Sequence, residues 1–281
     1  IKQIADRIVV MRDGAKVEEM DSADVPVRTI VEAMVGRSMD QLFPPLATPT
    51  RETILEVSNL TGHSGKFSDV NFTVNKGEIF GIAGLVGAGR TELVRAITGV
   101  DPIAGGQVLL DGQRITPRRP QDAIRHGIVL VPEDRKLQGL ILPHSIAENI
   151  AYANMSEVAP SGWVTQAKVR SFASCNITKF GVKGAGHQNA DEMSGGNQQK
   201  VVIAKWLARQ PRVVVLDEPT RGIDVGARSA IYDIIVGLAK EGVSVIVVSS
   251  DLEEVLGVSN RVMVMAQGKQ TGILSREDAH D

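Results

Sequence analysis

The sequence of 281 residues has a single cysteine, only 4% aromatic residues and a formal net charge of −2 at neutral pH. One thiol, Cys175, excludes an internal disulfide and suits a reducing compartment. Nothing in the sequence pairs it with a base or a metal-ligand cluster, so it is assigned no chemistry. The near balance of charge leaves no general basic excess for a nucleic acid, although a local patch stays open. Long apolar runs are missing as well: stretches such as VVVL and VIVV fall far short of the ~18 residues that a membrane-spanning helix needs. No signal-peptide pattern opens the chain, so any membrane role is expected to come through a partner. What is there is core-forming material, 43% hydrophobic against 23% charged residues, in a length somewhat above the prior of about 100 to 200 residues for one domain.

An internal repeat organises that length. IADRIVVMRDGAK near the N-terminus resembles VSNRVMVMAQGKQ near the C-terminus, where Arg7, Val10, Met11 and Gly14 match Arg261, Val264, Met265 and Gly268, each pair 254 positions apart (7 and 261, 14 and 268). A constant spacing of that size suits duplication of a whole domain rather than a short repeat, although apolar strands resemble one another and chance stays open. A polar, proline-containing stretch, PPLATPTRET, follows and reads as a linker. Residues 1–50 are therefore expected to be the tail of a preceding domain, and residues 51–281 a complete second one.

Within that second domain, GLVGAGRT at residues 84–91 fits the phosphate-loop pattern G-x-x-x-x-G-K-[ST] except that Arg90 stands in place of lysine. Gly84, Gly87 and Gly89 let backbone N–H groups converge on phosphate, and Thr91 offers a hydroxyl for Mg²⁺. GEIFGIAG before the loop reads as a buried strand, and TELVRAITG after it as a helix with Leu93, Val94 and Ile97 on its apolar face, so a helix N-terminus would point at the anion. Taken alone, the loop also fits a glycine-rich turn of another α/β fold.

Two further segments carry chemistry. VVVLDEP is an apolar strand ending in Asp217 and Glu218: the first acid is placed to hold Mg²⁺ through water, the second to polarise an attacking water. By itself such a pair also ends an ordinary strand. In MSGGNQQKVVIAKWLA, Ser194 reads as an N-cap and the rest as an amphipathic helix with Val201, Ile203, Ala204 and Leu207 inward. Gly195 and Gly196 leave amides bare at its start, so an anion can come close. ILEV, VNFTV and VLLDG suggest an antiparallel region; GIVLV, VVVLDEP and VSVIVVSS suit strands buried on both faces. Residues 133–193, with SIAENIAYA and TQAKVRSFAS, are expected to form an inserted, mainly helical subdomain.

SGGNQQ before an acidic strand resembles the signature of the ATP-binding cassette ATPases. Together GLVGAGRTEL, LVPEDRK and LDEPTRGIDVGA look like the second cassette of the tandem ATPase subunits that energise bacterial importers of ribose, galactose, arabinose or xylose. The resemblance covers residues 51–281. It implies an α/β P-loop NTPase cassette with a mixed core sheet, an antiparallel β edge region and the helical insertion. It also implies ATP and Mg²⁺ as ligands, with Glu218 catalytic and Thr91 and Asp217 at the metal. The loop residues Gly84, Gly87, Ala88, Gly89, Arg90, Thr91 and Glu92 would bind nucleotide, with Glu133 and Ser250. Ser194, Gly195, Gly196 and the D-loop Asp224 would face a nucleotide held mainly by another cassette. Implied partners are that second cassette, transmembrane permease subunits and, indirectly, a periplasmic sugar-binding protein, with no nucleic acid; the implied place is the cytoplasmic face of the inner membrane.

The departures from the family pattern converge on the γ-phosphate. Arg90 replaces the loop lysine, Glu133 the glutamine expected after GIVLVP, and Ser250 the histidine expected after VIVVS. Arginine keeps the charge but not a compact point donor; serine supplies no imidazole; Glu133 adds negative charge near a triphosphate. A degenerate site with slow turnover is expected, beside an intact signature that serves the other site. The alternatives are a fully competent cassette, a soluble cassette protein acting on ribosomes or DNA, and a structural half without nucleotide. His63 and Phe67 are the candidates for stacking on adenine, and Phe67 fits the core as well.

Overall fold

The computed structural model describes residues 1–12, 14–36 and 43–278. Of the stretch expected to belong to a preceding copy, residues 13 and 37–42 lie outside the described residues, as do residues 279–281. Among the described residues the strands form three sheets.

The central sheet explains the continuous β-branched runs. It joins β5 (Ile79–Gly84), β8 (Ile128–Val131), β9 (Val213–Asp217), β10 (Ser244–Ser249), β11 (Arg261–Ala266) and β12 (Lys269–Ser275) in the order β12-β11-β5-β10-β9-β8, with only β12 antiparallel to its neighbour. In β9, Val213 and Val215 face one core while Val214 and Leu216 face the other; in β10, Ile246 and Val248 alternate with Val245 and Val247 in the same way. Both faces are covered, so no polar alternation survives.

One face is covered by a four-stranded antiparallel sheet and a helix. β3 (Thr53–Gly62), β4 (Val70–Asn75), β6 (Ile103–Leu110) and β7 (Gln113–Ile115) pair in the order β4-β3-β6-β7. Their inward residues, Leu55, Val57, Phe72 and Val108, share a core with Leu93, Val94 and Ile97 of α2 (Arg90–Ile97). Helix α3 (Pro120–Arg125) then leads into β8.

The other face is covered by helices. After β8 come a π-helical turn (Arg135–Gly139), α4 (Ile146–Tyr152), α5 (Met155–Val158), α6 (Gln166–Lys179) and α7 (Gly195–Leu207). Helix α7 buries the expected inward residues, Val201, Ile203, Ala204 and Leu207, and more besides. Val201, Val202, Ile203 and Ala204 are all fully buried, because it packs between the central sheet and helices α4 and α6. Ser194 holds the N-cap position, but its hydroxyl accepts from Asn197 Nδ2 at 3.2 Å and from no backbone N–H of the helix. Helices α8 (Val225–Lys240) and α9 (Leu252–Val258) follow β9 and β10.

The N-terminal repeat is visible in hydrogen-bond register. β1 (Arg7–Arg12) pairs with β2 (Ala15–Asp21) from Arg7↔Asp21 to Arg12↔Ala15 with an irregularity between Val10 and Met11. β11 and β12 pair from Arg261↔Ser275 to Ala266↔Lys269 with the irregularity between Val264 and Met265, the matching step. Gly14 and Gly268 turn the two hairpins at φ of 80° and 77°, a conformation that favours glycine. A short helix, α1 (Val27–Val35), follows the first hairpin and contacts α8. The segment read as a linker is tied down: Phe43 lies 5.0 Å from the Tyr232 ring, Leu46 and Ala47 pack on the core, and Asn260 Nδ2 donates to the Ala47 carbonyl at 3.0 Å. A few apolar side chains in a polar stretch suffice for that anchoring.

Candidate functional site

The phosphate loop sits at the carboxyl end of β5, between β10 and β11, and leads directly into α2. Ligand sites of open α/β sheets gather at such strand ends. Its form depends on two glycines. Gly87 and Gly89 hold φ of 84° and 89°, and a Cβ on Gly89 would stand 2.6 Å from the Lys66 carbonyl oxygen. Glycine therefore lets the loop close on its neighbours while the unpaired N–H groups of the first turn of α2 face outward.

Asp217 and Glu218 arrive from β9. Thr91 Oγ1 donates to Asp217 Oδ1 at 3.3 Å, which joins the first turn of α2 to the strand end. Asp217 is 2% exposed, and its pKa is pushed up from 3.8 to about 6. Burial is the main cause; the charges of Glu218 and Glu92 add to it, while the Thr91 hydrogen bond and Arg90 oppose it. Glu218 holds a left-handed φ of 47°, costly for a side chain of its kind, with its N–H bonded to the Val248 carbonyl at 2.8 Å.

Two residues that depart from the loop and switch patterns meet on Glu218. Arg90 Nη2 lies 3.3 Å from Glu218 Oε1, in a pair whose side chains are 7% and 11% exposed. Ser250 Oγ donates to Glu218 Oε2 at 3.2 Å. Each carboxylate oxygen thus already accepts a bond from the protein. Arg90 Nη1 is buried without a partner among the described residues, an arrangement that fits an incoming anionic oxygen.

A cavity of about 430 Å³ brings together Gly87, Ala88, Gly89, Arg90, Thr91, Glu92, Glu133, Glu218 and Ser250. Gly84 ends β5 just before the loop, and Asp217 joins Thr91 and Glu133 on the wall of a neighbouring cavity. The hydroxyl of Thr91 beside the Asp217 carboxylate is a hard-oxygen pair suited to Mg²⁺. No group of three or more His, Cys, Asp or Glu side chains gathers among the described residues, so an ion there would take its other ligands from water and phosphate.

The signature residues lie elsewhere. Ser194, Gly196 and Asp224 line a separate cavity of about 600 Å³ with Met11 and Met34. Asp224 caps α8 by accepting from Ala227 N at 2.9 Å, and a Cβ on Gly196 would overlap the Ala227 methyl. Gly195 lies under the Arg135 guanidinium, 2.8 Å from where its Cβ would stand.

Sequence reasoning missed two arginines. Arg221 pairs with Glu133 and lines the phosphate-loop cavity. Arg135 donates through Nη1 to the Arg221 carbonyl at 2.9 Å and through Nη2 to the Gly222 carbonyl at 3.1 Å. The signal available was the basic residue three positions after Glu218, on the turn before Asp224. Phe67 is 1% exposed and packs in the core, so it offers no stacking face; His63 is exposed. Among the described residues no helix is long and apolar enough to cross a membrane.

A model of the ABC transporter family matches residues 67–221, more than half of the chain. A ribose import ATP-binding protein of Oceanobacillus iheyensis is 43% identical over 277 residues, covering 98% of this chain and 56% of that protein. Its counterpart in Lacticaseibacillus paracasei is 45% identical over 280 residues, covering 99% and 56%. A putative ribose/galactose/methyl galactoside import ATP-binding protein of Agrobacterium fabrum is 44% identical, covering 97% and 54%. The chain thus spans about half the length of these relatives. Among solved structures, the ADP conformation of MJ1267, an ATP-binding cassette of an ABC transporter, matches with a TM-score of 0.69 at 23% identity, covering 81% of this chain and 93% of that one. The dimeric, post-hydrolysis cassette MJ0796 bound to ADP and phosphate matches at 0.68 and 20%, covering 79% and 99%. At that identity the two structures show the fold: a P-loop NTPase cassette of mixed α/β build.

Proposed function

The chain belongs to the ABC transporter family, and on that premise we propose that it is the ATP-binding part of a monosaccharide importer whose own phosphate loop forms a slow nucleotide site. The relatives named above are import ATP-binding proteins for ribose or galactose-type sugars, and this chain is read as energising uptake of the same class. ATP bound there supplies the phosphoanhydride, and Mg²⁺ offsets its charge. The chain's residues divide the remaining work. Loop and α2 amides hold phosphate oxygens, Thr91 and Asp217 hold the ion, and the orphaned Arg90 Nη1 takes an oxygen in the cavity.

The observation that carries the slow-site reading is the closure of Arg90 and Ser250 on the two oxygens of Glu218. A carboxylate that accepts a proton from water needs a lone pair aimed at that water. Here each oxygen already gives one lone pair to a donor of the protein, the buried guanidinium or the hydroxyl, which draws electron density from the carboxylate and makes it a poorer acceptor of a proton through its remaining lone pairs.

The N-terminal hairpin supports the second half of the reading, in which the signature serves another site. Met265 gives the carbonyl that a Cβ on Gly84 would meet at 2.5 Å, so its hairpin lies against the phosphate loop. Met11, its repeat equivalent, lines the cavity of Ser194 and Gly196. A phosphate loop of a preceding cassette, standing to Met11 as Gly84 stands to Met265, would face this signature. Residues 1–50 are accordingly read as the end of that cassette and residues 51–281 as the second. In the whole transporter the partners are membrane permease subunits, reached through the helical region from Glu133 to Asn149, and indirectly a periplasmic sugar-binding protein. The place of action is the cytoplasmic face of the inner membrane.

Single-turnover hydrolysis of Mg·ATP by the chain, beside an Arg90→Lys, Ser250→His double variant, tests the slow-site reading. Negligible turnover with partial rescue in the variant is expected; brisk turnover by the unaltered chain would overturn it.

A further inference from the structure

We propose that Arg221 is a further phosphate-binding residue of this site, held in reserve by Glu133 and released to the terminal phosphate when nucleotide enters. The inference rests on the reading of the cavity as a nucleotide site.

Both cations of the cavity already face an acid, and a third acid stands beside them. Arg90 faces Glu218 and Arg221 faces Glu133, while Glu92 stands at the start of α2. A triphosphate brings negative charge into this wall, so its entry calls for a cation to change partners. The two arginines differ in how readily they do so. The Arg90 side chain is 7% exposed and its pair is buried; breaking it strands a charge away from water. The Arg221 side chain is 66% exposed and Glu133 32%, a pair of the kind worth little in water and cheap to exchange.

The backbone of Arg221 is fixed even though its side chain is exposed. Arg135 grips the Arg221 and Gly222 carbonyls through both Nη atoms, at 2.9 and 3.1 Å, and Arg221 N donates to the Glu218 carbonyl at 3.1 Å. Gly222, at φ of 66°, closes the turn. The side chain therefore swings about a stationary Cα, between Glu133 on one side and the cavity on the other. Its pair with Glu133 joins one Nη to one carboxylate oxygen, whereas a terminal phosphate carries more negative charge and offers two oxygens to the guanidinium fork. Arg221 stands three residues after Glu218 and lines the cavity with Glu218 and Ser250, the carboxylate read as facing the attacking water and the hydroxyl bonded to it. That placement assigns it to the terminal phosphate.

Equilibrium affinities of the chain for Mg·ATP and Mg·ADP, with Arg221→Ala, Glu133→Gln and the double variant, test the assignment. Arg221→Ala is expected to weaken ATP by about tenfold, the scale of one charged hydrogen bond, and ADP by less. Arg221→Lys should recover part of the loss. Glu133→Gln is expected to tighten ATP several-fold, and that gain should vanish in the double variant, because Glu133 acts by restraining Arg221. An equal gain with and without the arginine would make Glu133 a free-standing charge and overturn the proposal, as would unchanged affinity in Arg221→Ala. Failure of the unaltered chain to bind either nucleotide would instead overturn the nucleotide-site reading, and this inference with it.

Discussion

Asp217→Asn should make the nucleotide-free chain more stable. The carboxyl of Asp217 is 2% exposed, and burial pushes its pKa up from an ordinary 3.8 to about 6. Between those two values the folded chain holds a proton that the unfolded chain has released, so stability falls as pH rises through that window and the loss is complete above pH 6. At about 1.36 kcal/mol per tenfold in the proton equilibrium, the ionised group costs the fold about 3 kcal/mol. Asparagine keeps the shape and can still accept from Thr91 without the charge. In urea, with a slope of about 3 kcal/mol/M, the midpoint of the variant at pH 7.5 should lie about 1 M above that of the parent. The assay needs a chelator and no nucleotide, because a bound cation would repay the ionised carboxylate. The gain should shrink as pH falls toward 4. Glu254 is another buried carboxyl pushed up by burial, but it is common to both chains and cancels in the comparison. A variant no more stable than the parent at pH 7.5, or a gain that does not change with pH, would refute the argument that burial of Asp217 is a cost borne for a cation.

Other substitutions probe the packing around the site and the repeat. Gly89→Ala places a methyl against the Lys66 carbonyl at a φ of 89°; thermal unfolding should show a loss of about 1–3 kcal/mol, together with loss of Mg·ATP binding. Gly196→Ala meets the Ala227 methyl and should cost a similar ~1–3 kcal/mol, with most of the stability restored by adding Ala227→Gly. Thr91→Val should weaken Mg·ATP while leaving binding in the presence of a chelator nearly unchanged, as read by calorimetric titration. Arg261 is bonded to buried Glu78 at 2.6 and 3.0 Å, so Arg261→Ala should cost about 3–5 kcal/mol in chemical denaturation. Its repeat equivalent Arg7 pairs with Glu19 at the surface, and Arg7→Ala should leave the midpoint where it was.

Local features were legible from sequence to the extent that they depend on local chemistry. The loop at 84–91, the buried strands over VVVLD and SVIVVS, the antiparallel region and the helices over SIAENIAY and QAKVRSFAS all follow from glycine placement and apolar periodicity, which act over a few residues. The likeness of the two hairpins was readable too, because Gly14 and Gly268 mark the same turn. Side-chain meetings between distant segments were not. Nothing in the spelling of Arg90, Glu218 and Ser250 says that the arginine and the serine close on the same carboxylate, or that Glu133 finds Arg221. In helix α7 the expected inward residues, Val201, Ile203, Ala204 and Leu207, are buried, and the burial of Gln198, Gln199 and Val202 with them depends on helices α4 and α6, which the local pattern does not carry. The polar, proline-containing stretch at 44–53 reads as a linker, and that Leu46 and Ala47, with Phe43 just before it, pack on the core depends on partners distant in sequence.

Titration of the chain with Mg·ATP, followed on the same sample by release of phosphate, tests the central claim most directly. The account predicts saturable binding of one nucleotide per chain, weakened by a chelator, with phosphate release far slower than nucleotide exchange. Absence of saturable binding, or release as fast as exchange, would contradict it.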